Sequence, residues 1–231
     1  MKAIEIKNLS KSFGKKKVLN DISLSIDRGR IVGLLGKNGM GKSTLIKIIN
    51  DLLTPDSGEV LVYGKSVGVE SKLRISYLPE RCALDKGMTV KKVIKFYSDF
   101  YGNFDSSKAM KLLHDLDLDA EQKISKMSKG MQEKLQLALV LSREADIYIL
   151  DEPLGGVDPA TRDYILDTIL SNFKEGATVI ISTHIISDIE RILDNVVFIH
   201  KGEIILTSDT DELRSSENAS IDEIFRRTFR C

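Results

Sequence analysis

The chain has 231 residues, of which 42% are hydrophobic and 29% charged, so it can form a sizeable core, and disorder is excluded. Basic and acidic residues both number 34, which gives no net charge and no basic field of the kind that binds nucleic acid, so nucleic acid is not an expected partner. Cys82 and Cys231 form no zinc or disulfide pattern, and no apolar stretch approaches the roughly 18 residues of a membrane span. We therefore expect a cytosolic protein.

The amino-terminal part of the chain has the patterns of β-strands. Residues 4–7 and 22–26 alternate apolar and polar side chains, which predicts strands with one buried face. Residues 31–35 are apolar on both faces, as in a buried central strand, and residues 42–52 have helical spacing. The order is therefore strand, glycine-rich turn and helix.

A helical insert follows, and then strands and helices alternate. Three helices are predicted between about Thr89 and Arg143, with Asn103, Asp105 and Ser128 as caps or turns. The later elements are predicted as strands at 147–150, 178–182 and 196–200, and helices at about 160–173 and 184–194. This alternation indicates an α/β fold with a mainly parallel sheet that is covered by helices.

The predicted organisation is one core with an insertion. The α/β core takes residues 1–80 and 144–231, and the helical subdomain takes residues 81–143. Residues 209–231 form a short tail within the core, where Ile221, Ile224 and Phe225 are predicted to dock; these three are the apolar positions of a helical pattern.

The glycine-rich turn fits the complete template of a phosphate-binding loop, Gly36-x-x-x-x-Gly41-Lys42-Ser43. Its glycines let successive backbone N–H groups turn inward, and the following helix directs its positive end to the same point. Lys42 supplies a cation for the β- and γ-phosphates, and the Ser43 hydroxyl is a candidate Mg²⁺ ligand. The alternative is a glycine-rich turn without a ligand.

A pair of carboxylates follows the apolar run at residues 147–150. Asp151 lies where that strand ends, which is where ligands bind in open α/β sheets, and it is a candidate to hold Mg²⁺ through water. Glu152 is then placed to orient or deprotonate an attacking water. Alone, these residues could also be helix-start acids before Pro153.

Six motifs in order, GKNGMGKST, YLPE, MSKGMQ, ILDEP, GGVD and STH, resemble the ATP-binding domain of ABC transporters over essentially the whole chain. The resemblance implies a P-loop NTPase fold with an antiparallel amino-terminal β region, and it implies ATP and Mg²⁺ as ligands. It also implies that two such subunits meet head to tail, with Ser128 and Gly130 of one subunit closing over ATP in the loop of the other. Without the resemblance, the residues SKG would be interpreted only as a helix cap. The implied nucleotide-binding residues are Phe13, Gly36, Asn38, Gly39, Gly41, Lys42, Ser43, Thr44, Ser128 and Gly130.

The resemblance also gives roles to isolated residues. Phe13 is similar to the aromatic residue that stacks on adenine, although it could instead be a buried strand residue. His184 resembles the histidine that contacts the γ-phosphate, and with Lys42 and Glu152 it completes the implied catalytic set; otherwise it would be a surface residue, as we expect His114 and His200 to be. Asp158 resembles the aspartate that runs along the subunit boundary.

Three positions depart from the usual family pattern. Glu80 replaces a glutamine, and we expect it to lie near Mg²⁺, as a ligand or as a relay of contact from a membrane partner. Lys129 and Met131 replace a glycine and a glutamine of the signature. These variants resemble the branch that serves exporters of drugs, peptides and lantibiotics.

The favoured function is the ATP-hydrolysing subunit of an exporter, on the inner face of the cell membrane through separate permease subunits. The second ATPase subunit could be identical or different. The alternative is an ABC-type ATPase of protein or cofactor assembly without a membrane partner, such as iron-sulfur scaffold assembly. DNA-repair relatives carry longer insertions, and a nucleotide kinase would have no use for MSKGMQ and STH.

Overall fold

The computed structural model describes residues 1–81, 84–155 and 159–229. The strands are β1 (Lys2–Phe13), β2 (Lys16–Asp27), β3 (Ile31–Leu35), β4 (Ser57–Val62), β5 (Lys65–Ser66), β6 (Ile75–Leu78), β7 (Ile147–Asp151), β8 (Thr178–Thr183), β9 (Asn195–His200) and β10 (Glu203–Asp209). The helices are α1 (Lys42–Ile49), α2 (Val69–Arg74), α3 (Val90–Phe100), α4 (Ser106–Asp115), α5 (Lys129–Leu141), α6 (Pro159–Asn172), α7 (Thr210–Glu217) and α8 (Ile221–Thr228). None of the helices in these ranges has the length and hydropathy of a membrane span.

The first sheet is antiparallel and has the strand order β2-β1-β4-β5. The alternation in its sequence matches its burial, because Ile4 and Ile6 face the core from β1, and Leu24 and Ile26 do so from β2. The predicted antiparallel β region is confirmed.

The second sheet is mainly parallel and has the order β10-β9-β3-β8-β7-β6, in which only β10 is antiparallel to its neighbour. The strand that precedes the phosphate-binding loop, β3, lies between β8 and β9. Because parallel strands end at the same edge, the register brings Asp151 level with Ser182 and Leu35 level with Thr183. The loop and the paired carboxylates therefore meet at one edge.

Both faces of the second sheet are buried, each against its own hydrophobic cluster. Ile147 and Ile149 of β7 face the cluster shared with the first sheet and α1. Tyr148 and Leu150 face the other cluster, which includes residues of α3, α4, α5 and the carboxyl-terminal helices. A strand that is buried on both sides has no polar position to alternate with, which explains its continuous apolar run.

The helices α3, α4 and α5 lie between β6 and β7, where the helical insert is predicted. Thr89, Asp105 and Ser128 cap their amino termini by accepting hydrogen bonds from backbone N–H groups of the first turn. Arg143 then ties the insert to the sheet edge by donating to the carbonyl of Ile75 at 2.7 Å. The division at residues 81 and 143 stays a prediction, since one hydrophobic cluster draws on both parts.

The helix predicted at residues 184–194 is wrong. Apart from a short 3-10 turn at Glu190–Ile192, this segment is not helical. The side chains that produced the helical pattern, Ile186 and Ile189, are buried. The segment begins, however, with a side-chain contact, in which Thr183 Oγ1 accepts a hydrogen bond from the Ile185 N–H at 3.0 Å. A local side-chain contact thus replaces the first helical turn.

The carboxyl-terminal tail folds into α7 and α8. Ile221, Ile224 and Phe225 are buried, as the helical pattern predicts. His200, which we expected at the surface, is instead half-buried at the end of β9, with its ring 5.2 Å from that of Phe229. Aromatic packing by the tail accounts for this difference.

Candidate functional site

The phosphate-binding loop connects β3 to α1 and depends on glycine. Gly39 and Gly41 have φ angles of 79° and 108°, which side chains rarely adopt. A Cβ atom on Gly36 would lie 2.6 Å from the carbonyl oxygen of Ile199, so the loop also needs glycine for close packing. Lys42 is 5% exposed, and its Nζ donates to the Gly36 carbonyl at 2.5 Å. The loop thus holds a buried cation beside its own backbone, which is a cradle for an anion.

Glu152 is held by contacts on both carboxylate oxygens. Its Oε1 lies 3.3 Å from Lys42 Nζ, while Thr183 Oγ1 donates to Oε2 at 3.3 Å and His184 Nδ1 lies 2.9 Å from Oε2. The backbone of Glu152 is left-handed, with φ 51°, and its N–H donates to the carbonyl of Ser182 at 3.0 Å. This conformation is uncommon for a glutamate, and the contacts of its side chain hold it there. The structure therefore brings together the predicted catalytic residues.

Asp151 is buried beside the loop. Ser182 Oγ donates to its Oδ1. Burial raises the pKa of the Asp151 carboxyl; hydrogen bonds from Ser182 and Ser43 act in the opposite direction, and the charges of Glu80 and Glu152 raise the pKa further. A cation at this point would favour the ionised carboxylate.

The residues present fit a magnesium ion. Glu152 Oε1 is buried and, within the described residues, has no hydrogen bond beside its 3.3 Å ion pair with Lys42 Nζ, and the oxygens of Ser43 and Asp151 are hard ligands. In the described part of the chain, no three histidine, cysteine or acidic side chains gather into a metal cage. Mg²⁺ is usually bound by one or two protein ligands together with substrate phosphates, and Ser43 and Asp151 provide two such ligands. Glu80 as a ligand stays a prediction.

The phosphate-binding loop opens into a cleft of about 510 Å³, the nucleotide cleft. Phe13 is 51% exposed at its rim, so the alternative that Phe13 is a buried strand residue is wrong. Lys11 Nζ lies 5.8 Å from the centre of the Phe13 ring, and the stacking of that ring on adenine stays a prediction. The full lining is Phe13, Lys16, Val18, Asn38, Gly39, Gly41, Lys42, Ser43, Thr44, Glu80 and Glu152.

A second cleft, of about 490 Å³, lies between the same catalytic edge and the start of α5. Its lining is Asn38, Glu80, Arg81, Lys129, Gln132, Glu133, Glu152, Gly155 and His184. Ser128 and Gly130 line neither cleft; Ser128 Oγ accepts from the Met131 N–H at 3.2 Å. Lys129, which lies between these two predicted signature residues, does line the second cleft.

Some residues of the site were not singled out from the sequence. Ser182 and Thr183 contact the two carboxylates, and the STH motif was the signal that contained them. Lys16 and Val18 line the nucleotide cleft, but β2 gave no sign of this. Asp158, predicted at a subunit boundary, lies outside the described residues.

Comparisons with known proteins address the family directly. The family model described as ABC transporter matches residues 19–155. The chain is 33% identical over 224 residues to the lantibiotic transport ATP-binding protein SrtF of Streptococcus pyogenes, which covers 96% of this chain and 95% of that one. It is also 33% identical to the linearmycin resistance ATP-binding protein LnrL of Bacillus subtilis (strain 168), over 92% of this chain and 71% of the other.

A solved structure described as the ATP-binding subunit of an ABC transporter superposes with a TM-score of 0.89 at 30% identity, covering 99% of this chain and all of that chain. The fold, the loop with its buried lysine, and the paired carboxylates at the end of β7 thus occur together in a sequence that the family model matches over more than half its length. This chain belongs to the ABC transporter family as an ATP-binding protein, a family of ATPases coupled to transport.

Proposed function

We propose that this chain is the ATP-hydrolysing subunit of an exporter, that it works as a dimer, and that separate permease subunits hold it at the inner face of the cell membrane. The exporter assignment is supported by the SKGM and YLPE variants and by the relatives that are named for lantibiotic transport and linearmycin resistance. The substrate belongs to the permease and is not proposed beyond the class of peptides, drugs and lipid-like molecules.

The observation that carries the proposal is the position of Glu152. Its carboxylate is fixed by Lys42, Thr183 and His184 at the mouth of the nucleotide cleft. A general base must be within reach of the proton that it takes, and a fixed carboxylate next to a phosphate cradle meets this condition. Glu152 would accept the proton of a water that attacks the γ-phosphorus, while the bond to the bridging oxygen breaks to give ADP and phosphate.

The other residues of the site would bind and orient ATP. The loop amides and Lys42 would hold the phosphates, and Phe13 would cover the adenine ring. Ser43 and Asp151 would hold Mg²⁺, which, when bound, neutralises charge on the phosphates. His184 would contact the γ-phosphate through the ring nitrogen that does not face Glu152.

The dimer is supported by the position of the signature residues. Ser128 caps α5, so its hydroxyl and the first amides of that helix lie together at a positive helix end. A helix start of this kind binds phosphate oxygens. In the proposed head-to-tail dimer, the helix start of one subunit, with Ser128 and Gly130, would close over the ATP that the other subunit holds.

The permease would dock in an apolar groove of about 540 Å³ between α2, β6 and α3, the docking groove. Leu73 and Phe100 line it and are 56% and 68% exposed, an unusual exposure for two large apolar side chains that line one groove. Tyr77 also lines the groove, three residues before Glu80, which lines both clefts. A helix of the permease in this groove would thus lie near the catalytic edge.

Glu152→Gln tests the proposed function. The amide keeps the shape of the side chain but accepts no proton, so turnover should fall by roughly 100-fold or more. ATP should then hold subunits together, and size-exclusion chromatography with ATP and Mg²⁺ should show a dimer. Glu175→Gln removes an exposed carboxylate far from the site and is the matched control. Normal turnover in Glu152→Gln, or no ATP-bound dimer, would contradict the role given to Glu152.

The alternative function, an ABC-type ATPase of protein or cofactor assembly, would have different partners. Purification from detergent extract should recover an integral membrane protein with this chain if the transporter proposal is correct. Recovery of only soluble assembly factors would favour the alternative.

A further inference from the structure

Lys37, the first residue after Gly36 in the phosphate-binding loop, contacts the carboxyl-terminal tail. Its Nζ donates to the carbonyl oxygen of Phe229 at 2.8 Å. Its own carbonyl accepts hydrogen bonds from the Met40 N–H at 3.3 Å and from Lys42 Nζ at 3.5 Å. One residue therefore joins the end of the tail to the lysine that would hold the phosphates.

The tail carbonyl that Lys37 reaches is fixed in position. The Phe229 side chain is buried, and its ring centre lies 4.2 Å from that of Phe225 and 6.0 Å from that of Phe198. A capping box between Ser220 and Glu223 begins α8, so both ends of residues 220–229, the strap, are anchored.

The end of β9, on which the strap packs, and the turn after β9 also contact the loop. The Gly202 N–H donates to the Met40 carbonyl at 3.1 Å, and the Lys201 N–H lies 3.3 Å from the Met40 sulfur. Gly36 also packs closely against Ile199 near the end of β9. The loop is therefore held from the outside by the end of β9 and by the strap that packs on β9.

We infer that the strap positions the phosphate-binding loop through Lys37, so that the affinity for ATP depends on a contact at the far end of the chain. The inference rests on the proposed role of the loop in binding ATP. A phosphate-binding loop that is already ordered loses less conformational freedom when the nucleotide binds. The contact between Lys37 and Phe229 would order the loop in this way. Lys37 is thus a positioning residue.

A simpler explanation is available for the contact. Lysine side chains often bond the last carbonyls of a helix, and such a bond need not affect a neighbouring site. The two explanations differ in whether nucleotide binding changes when the contact is removed.

The test measures ATP binding by calorimetry and steady-state ATP hydrolysis. Lys37→Met should raise the Kd and the KM for ATP by roughly 3- to 10-fold, the effect of one modest charged hydrogen bond, with a smaller change in kcat. Lys37→Arg should restore most of the affinity. Lys111→Met, an exposed lysine on α4, is the matched control and should bind as the wild type does.

A double-mutant cycle separates positioning from direct contact with the nucleotide. Phe229→Ala loosens the strap without changing any residue of the loop, and Lys37→Met should add little to its effect on the Kd. If Phe229→Ala does not fold, Phe229→Leu takes its place. Additive effects would overturn the inference, because Lys37 would then act on the phosphates itself. A wild-type Kd in Lys37→Met would also overturn it, whereas failure of the wild type to bind ATP would refute the proposed function instead.

Discussion

At the scale of single residues, the site is organised around one ion pair. Lys42 is buried and Glu152 is nearly so, and their opposite charges lie 3.3 Å apart. A buried charge without a partner is costly, so the ion pair holds both side chains in place. During the proposed reaction Lys42 would also attract phosphate oxygens, and the carboxylate would then be available to a water. The same contact can therefore serve both the resting protein and the reaction.

Lys42→Ala tests this arrangement. A fixed charge on a transferring phosphoryl group contributes on the order of 3 kcal/mol, so kcat/KM for ATP should fall roughly 100-fold. The measurement is steady-state ATP hydrolysis by the purified protein, together with binding of ATP. Lys47→Ala removes an exposed lysine from the same helix and is the control. Unchanged hydrolysis in Lys42→Ala would contradict the proposed role of Lys42 in binding the phosphates of ATP.

At the scale of elements, much of the structure could be predicted from local patterns. The insert helices have both helical periodicity and capping residues, so their predicted positions agree with α3, α4 and α5. The sequence after Thr183 has the periodicity without a cap, and the contacts of Thr183 and His184 with Glu152 determine its path instead. Those contacts come from the register of β7 and β8, which no local pattern reveals.

The docking groove yields a prediction for α3. Phe100→Glu places a charge among the apolar residues of the groove, so the subunit should no longer purify with its permease from detergent extract. Phe100 lines neither cleft, and ATP hydrolysis by the isolated variant should show that it folds. Met110→Glu changes an exposed apolar residue of α4 outside the groove and should still purify with the permease. Equal recovery of the permease with both variants would contradict the proposed docking surface.

At the scale of the whole molecule, the nucleotide cleft lies where two sheets meet. Phe13 comes from the end of β1, whereas the phosphate-binding loop follows β3 of the second sheet. Their shared cluster, which includes α1, fixes the two sheets to each other. The motifs identified the loop and the carboxylates because their chemistry is local. Lys16 was not identified because only packing brings β2 to the cleft. Lys37 and Ser182 lie within motifs, but their contacts with Phe229 and Asp151 come from the packing of distant elements.

The position of Glu80 leads to a prediction about coupling between the docking groove and the site. Glu80 lines both clefts and lies close enough to Asp151 for its charge to raise the pKa of that carboxyl. In Glu80→Gln the catalytic set is intact, so the isolated subunit should still hydrolyse ATP. If Glu80 relays contact from the permease, the ratio of turnover with the permease to turnover without it should fall. The neutral amide removes the negative charge by which Glu80 would act on the site.

The measurement is ATP hydrolysis by the subunit alone and in the purified complex with its permease. Glu175→Gln, far from the site, controls for the loss of one carboxylate and should keep the wild-type ratio. Since Glu80 would act by its charge, Glu80→Asp should retain more of the stimulation than Glu80→Gln does. Equal stimulation in the wild type and in Glu80→Gln would show that coupling takes another route. Loss of hydrolysis in the isolated variant would instead make Glu80 part of the metal site.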